Sequence, residues 1–144
     1  MFNSILVVCV GNICRSPIGE RLLKKLFPEK KVSSAGLAAM VNKSADPTAI
    51  FIAESNGLSL EGHIAQQITS ALCQEYDLIL VMEKEHIDII CRLVPEARGK
   101  VMLYGHWNNK LEIADPYRKS QETFEITYQY LSKAAQKWAH ILTH

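Results

Sequence analysis

Six consecutive apolar residues near the N-terminus, Ile5-Leu6-Val7-Val8-Cys9-Val10, constrain the fold of this chain more than any other feature. A run without polar alternation describes a strand covered on both faces, the situation of a central strand in a parallel sheet. The residues after it narrow the choice. Beyond a short loop, Ser16 can cap a helix and Pro17 suits its first position, where a missing N–H costs nothing. Ile18, Leu22, Leu23, Leu26 and Phe27 then recur at helical spacing until Pro28 stops the run. The motif is strand, tight loop, helix.

The alternation continues along the chain. A second strand is expected around Val32 to Ala35, then a helix opened by Asp46-Pro47 and closed by Gly57. Tyr76 to Met82 reads as another apolar strand, followed by a helix from about Glu83 to Leu93 that ends before Pro95. Lys100 to Tyr104 reads as the last strand. From Ser120 the positions Phe124, Tyr128, Leu131, Ala135, Trp138 and Leu142 describe a long amphipathic helix whose apolar side packs into the core. Four strands alternating with helices predict an open, mostly parallel four-stranded α/β sheet with helices on both faces and ligand sites at the carboxyl ends of its strands. At 144 residues and 48% hydrophobic content, one domain over residues 1–144 is expected. Residues 105 to 119 form the one long irregular stretch, and long loops in compact domains are often functional.

Charge and cysteine content exclude some functions. A formal net charge of +1 provides no basic excess to grip nucleic acid. The apolar run at the start is far too short to span a bilayer and no basic segment precedes it, so a cytoplasmic protein without direct membrane insertion is expected. The four cysteines, at positions 9, 14, 73 and 91, fit neither a dense disulfide framework nor paired zinc-ligand spacing, and reduced thiols are expected.

The first loop carries the chemistry. In Cys9-Val10-Gly11-Asn12-Ile13-Cys14-Arg15-Ser16, five residues separate a cysteine from an arginine; with four cysteines and five arginines in the chain, such a pair arises by chance roughly one time in seven. The placement between a buried strand and a helix start is what makes it informative. A turn of this length can aim successive backbone N–H groups inward as an anion nest, and the helix adds its positive dipole end, so phosphate fits there. Gly11 and Asn12 are residue types that tolerate positive φ. The same field favours the thiolate of Cys9, a competent nucleophile, to which Ser16 can donate a hydrogen bond. Arg15 offers a planar fork that can hold two phosphoryl oxygens as attack flattens the group. Expelling an alkoxide or phenoxide then needs a proton donor, and Asp115-Pro116 in the long loop is the natural candidate, although the same dipeptide is ordinary turn chemistry.

Taken together, Cys9 to Ser16, Ser33-Ser34-Ala35-Gly36 and Asp115-Pro116-Tyr117 resemble the low-molecular-weight protein tyrosine phosphatases along the full chain. The resemblance implies that Cys9 attacks phosphorus, Arg15 binds the phosphoryl group, and Asp115 protonates the leaving tyrosine oxygen and later activates water. It implies no cofactor. Asn12 would hold the loop through hydrogen bonds with Ser34, and Ser16 would support the thiolate. Cys14 matches the family's second loop cysteine, which can form a reversible disulfide with the nucleophile; simple packing would explain it equally. The run Asp115 to Ser120 looks like the bacterial branch associated with capsule and exopolysaccharide export, where the usual partner is a membrane-anchored tyrosine autokinase with a tyrosine-rich tail. One departure stands out, since relatives often carry arginine where this chain has Gln66.

A phosphotyrosine ring needs apolar walls, for which Ile13, Met40 and Tyr117 are candidates; Met40 could equally be ordinary packing. His63, His86, His106, His140 and His144 show no metal-ligand spacing and are expected at the surface, so no metal site is assigned. Cys73 and Cys91 are expected to pack in helical segments. Two rival readings differ in what they require. A thiol-dependent arsenate reductase would need a closely spaced cysteine pair downstream, whereas Cys73 and Cys91 lie 18 residues apart. A phosphocysteine carrier would have no use for an acid placed to activate water.

Overall fold

A computed structural model describes residues 2–143. The buried run forms β1 (Ser4–Cys9), and its side chains alternate between two cores. Ile5, Val7 and Cys9 face one apolar cluster, and Leu6 and Val8 face the other. This is why the run shows no polar position: each face of the strand is covered.

The loop after β1 leads into α1 (Arg15–Leu26), then β2 (Lys31–Gly36) and α2 (Pro47–Ser55). A short α3 (Ser70–Glu75) precedes β3 (Leu78–Val81), and α4 (Lys84–Leu93) and a 3-10 turn (Pro95–Lys100) precede β4 (Val101–Leu103). The long α5 (Gln121–Thr143) completes the order. All strand pairs are parallel and the sheet order is β2-β1-β3-β4. Chain entering β2 turns to one side of β1 and chain entering β3 to the other, so the carboxyl end of β1 is the switch point where a crevice opens. Cys9 is the last residue of β1.

Helices α1, α2 and α5 bury Ile18, Leu23, Ile52, Leu131 and Trp138 in the first cluster. Helices α3 and α4 bury Cys73, Ile90 and Cys91 in the second. Asp46 caps α2 through bonds from the Thr48 and Ala49 N–H groups, and Ser120 Oγ accepts from the Thr123 N–H at the start of α5.

Several expectations are corrected. Helix α1 starts at Arg15, before Ser16, and no side chain caps it. Ser16 is drawn toward Cys9 and Asn12 instead, and Pro17 sits third in the helix, still within the turn whose N–H groups have no helical partner. His63 and His86 are buried, at 6% and 2% exposure, because each ring faces a polar group inside the fold. His106 is half-buried against Trp107 and His140 is exposed. His144 lies outside the described residues.

Candidate active site

The loop from Cys9 to Cys14 is shaped from outside by its carbonyls. Leu37, Ala38 and Met40 donate their N–H groups to the carbonyl oxygens of Cys9 (2.9 Å), Val10 (2.9 Å) and Gly11 (3.0 Å). His63 Nε2 donates to the Asn12 carbonyl (2.6 Å), and the Asp46 N–H donates to that of Ile13 (2.9 Å). Five successive carbonyls therefore point away from the curl. Since C=O and N–H of a peptide point in opposite directions, the amides between them are turned inward, and the uncapped start of α1 adds its own.

Close approach of β2 makes this possible. A Cβ on Gly36 would lie 2.5 Å from the Val10 carbonyl oxygen, so only glycine fits there without moving the loop. Positive φ is needed at Asn12 (φ 59°). Gly11, expected to share that need, has ordinary φ, and a Cβ on it would make only loose contacts.

Asn12 is fully buried and each of its polar atoms is used. Its Nδ2 donates to Ser16 Oγ (2.7 Å) and Ser34 Oγ (3.0 Å), and its Oδ1 accepts from the Gln66 N–H (2.9 Å). Ser34 Oγ donates in turn to Glu20 Oε1 (2.7 Å). With Ser16 Oγ already accepting, its hydroxyl hydrogen is free to point at Cys9 Sγ, 3.0 Å away. A thiolate at Cys9 can accept that bond. Gln66 adds a second bond from Nε2 to the Ser34 carbonyl (2.9 Å), so the segment with the unusual residue braces Asn12 and Ser34. Cys14 is buried beside Cys9, and burial first, then the charges of Asp46 and Cys9, push its thiol up. This burial favours the protonated thiol of Cys14.

Arg15 is 1% exposed. Its Nη1 donates to Glu83 Oε2 (2.6 Å) and to the Ile113 carbonyl (2.8 Å), Nη2 lies 3.7 Å from Asp115 Oδ2, and Nε has no hydrogen-bond partner among the described residues. A buried donor left open is costly, so this edge is a waiting place for an acceptor. Asp115 Oδ1 accepts the Tyr117 N–H (3.0 Å), which leaves Oδ2 turned to Arg15. Around these groups lies a pocket of about 170 Å³ lined by Cys9, Val10, Gly11, Ile13, Cys14, Arg15, Ala38, Met40, Asp115 and Tyr117. The structure thus brings together Cys9, the loop residues, Arg15, Asp115, Ile13, Met40 and Tyr117, with Asn12, Ser16 and Ser34 behind them.

Glu83, Glu20, His63 and the Ile113 carbonyl were not singled out from sequence. A signal existed for Glu83, because it comes soon after the apolar strand β3 and so stands at the sheet edge where sites form. Glu20 and His63 gave none beyond their residue type. Among the described residues no group of three or more His, Cys, Asp or Glu is placed to hold a metal ion.

A buried strand ending in a cysteine, an inward-turned amide loop and a half-free arginine define a protein that can hold a tetrahedral oxyanion against a sulfur. The chain belongs to the low molecular weight phosphotyrosine protein phosphatases, whose family description matches residues 4–144, and it is an enzyme of that kind. It is 63% identical over 142 residues to the low molecular weight protein-tyrosine-phosphatase Wzb of Escherichia coli K12, covering 99% of this chain and 97% of that one. The crystal structure of the tyrosine phosphatase Wzb from Escherichia coli K30 in complex with sulphate superposes with a TM-score of 0.97 at 58% identity, covering 99% of each chain. Wzb of Vibrio vulnificus in complex with benzylphosphonate gives 0.95 at 55% identity, covering 97% of this chain and 99% of that one. The sheet and helices described above are the fold of these proteins.

Proposed function

We propose that Cys9, Arg15 and Asp115 carry out hydrolysis of phosphotyrosine through a phosphocysteine intermediate. The observation that carries the reading is that Cys9, the loop whose amides turn inward and Arg15 with its unpartnered Nε line one pocket. Cys9 attacks phosphorus, forming an S–P bond as the P–O bond to the tyrosine breaks. Arg15 and the loop amides hold the equatorial oxygens, and their hold strengthens as charge builds there. Asp115 gives its proton to the leaving oxygen. In the second step Asp115 takes a proton from water, whose oxygen attacks phosphorus, and Cys9 leaves as a thiolate steadied by Ser16.

Ile13, Met40 and Tyr117 form the apolar walls that suit an aryl ring, and a benzylphosphonate complex of a relative agrees with such a ligand. Similarity to the Wzb proteins and the run Asp115 to Ser120 support a phosphoprotein substrate, specifically a membrane-anchored tyrosine autokinase opposed during exopolysaccharide production. The enzyme acts in the cytoplasm, in keeping with the fact that no helix among the described residues is long and apolar enough to cross a membrane.

The test is hydrolysis of para-nitrophenyl phosphate at mildly acidic pH with chelator present. Activity in the wild type, abolished in Cys9→Ser and reduced in Asp115→Asn, is the expected result. A folded wild type without activity overturns the reading and favours the arsenate reductase or the phosphocysteine carrier, which arsenate turnover and a long-lived phospho-protein would separate.

A further inference from the structure

The orientation of Arg15 is decided by how its first terminal nitrogen is held. Nη1 is committed to Glu83 Oε2 and the Ile113 carbonyl, so only the edge formed by Nε and Nη2 can receive phosphoryl oxygens. Whatever steadies Glu83 therefore aims that edge. The Glu83 side chain is 33% exposed and hangs just before α4, where a flexible carboxylate held by one bond would wander between solvent and Arg15.

His86 lies one turn further on and is 2% exposed. Its backbone N–H bonds the Glu83 carbonyl (3.0 Å), which keeps both side chains on the same turn, and its ring Nε2 sits 3.5 Å from the same Glu83 Oε2 that Arg15 holds. The other ring nitrogen, Nδ1, is buried with no hydrogen-bond partner among the described residues. A proton on Nδ1 would be a buried donor without an acceptor, so the ring's hydrogen belongs on Nε2 and faces Glu83. The charged groups facing the ring are Arg15 from α1, Glu83 and Glu85 from its own turn, and Glu112 from the loop before Asp115. Burial and then the Arg15 charge hold the imidazole below its ordinary value, so at neutral pH the ring is a neutral donor.

Resting on the reading of Arg15 as the phosphoryl-binding residue, we propose that His86 is a positioning residue that acts through Glu83 to hold the guanidinium with its free edge toward the phosphoryl group. Glu83 Oε2 lies 2.6 Å from Arg15 Nη1 and 3.5 Å from His86 Nε2, so the ring contact is longer than a normal hydrogen bond. When phosphoryl oxygens take up part of the guanidinium's charge, the carboxylate needs its second donor and the contact tightens.

The experiment compares His86→Phe, His86→Gln, Glu83→Gln, the His86→Phe/Glu83→Gln double variant and Arg15→Lys in the full chain. It reads kcat and KM for para-nitrophenyl phosphate, the inhibition constant of orthovanadate and the melting temperature. His86→Phe is expected to lower kcat and weaken orthovanadate inhibition by about tenfold each, the scale of one lost donor to a charged group. His86→Gln, which keeps a donor, should recover most of both, and His86→Phe should add little to Glu83→Gln. His86→Leu carries the same test if the phenylalanine variant does not fold. The inference is overturned if the apolar variants keep wild-type kcat and inhibition, if glutamine and phenylalanine are equally impaired, or if the Glu83 and His86 effects multiply independently. Arg15→Lys with both constants unchanged would overturn the role given to Arg15, and the inference with it, while normal Cys9-dependent activity would leave the nucleophile standing.

Discussion

At Gly36 a single missing methyl group decides the shape of the site. The Val10 carbonyl passes so close that Gly36→Ala must push the loop inward by breaking the belt of bonds that turns its amides. Activity is expected to fall much further than stability, which parallel kcat and thermal unfolding measurements on that variant would show. Asn12 has the same importance for a different reason, since its positive φ and its bonds to Ser16, Ser34 and Gln66 are all required at once. Asp115→Asn keeps the bond from the Tyr117 N–H but cannot donate a proton. Its rate should therefore fall most for poor leaving groups, and a series of aryl phosphates of rising phenol basicity checks this; an equal loss across the series would remove the acid assignment.

Among the elements, β1 and α1 act as one unit, strand to loop to helix, but α5 is what holds α1 in place. Trp138 is 2% exposed, and its Nε1 donates to the Tyr104 carbonyl (2.7 Å), while the Tyr104 hydroxyl donates to the Gly19 carbonyl in α1 (3.0 Å). Gly19 lets that ring approach, because a Cβ there would meet Tyr104 Cε2 at 3.0 Å. Trp138→Ala should cost about 3–5 kcal/mol, measurable by urea unfolding, through a cavity and an orphaned carbonyl. Element boundaries were legible where local chemistry sets them, as at Asp46-Pro47 and Ser120. They shifted at α1, where Ser16 was recruited by Asn12 and Cys9 and left the helix uncapped. A residue's use in the site overrode its local preference.

For the whole molecule, two buried histidines give stability a pH dependence. Burial first lowers both His63 and His86 from the ordinary imidazole value of 6.5; His63 faces Glu20, Arg21 and Lys24, and its bond to the Asn12 carbonyl acts in the opposite sense. In the unfolded chain both take up a proton as pH falls through about 6.5, while the folded protein resists it. The unfolded state then binds more protons, and stability falls with decreasing pH until the lower folded values are reached. Thermal unfolding between neutral and mildly acidic pH should show this loss, and His86→Gln should flatten part of it.

The sequence by itself determined the sheet class, the strand-loop-helix unit and the chemistry its first loop could support, because each rests on neighbouring residues and on local rules of burial, capping and backbone freedom. It also marked Asp115, because a proline comes next in the long loop before α5. Only the tertiary structure decided the rest. Glu83 and the Ile113 carbonyl meet Arg15 from positions 68 and 98 residues away, and Glu20 meets Ser34 across a parallel strand crossover. His63 closes the carbonyl belt from 51 residues beyond Asn12. Glu20 and His63 are, in sequence, polar residues of the kind that usually face water, yet both are buried. Their burial follows from where the sheet's carboxyl edge gathers distant loops, since a polar group becomes buried only when another part of the chain supplies its partner.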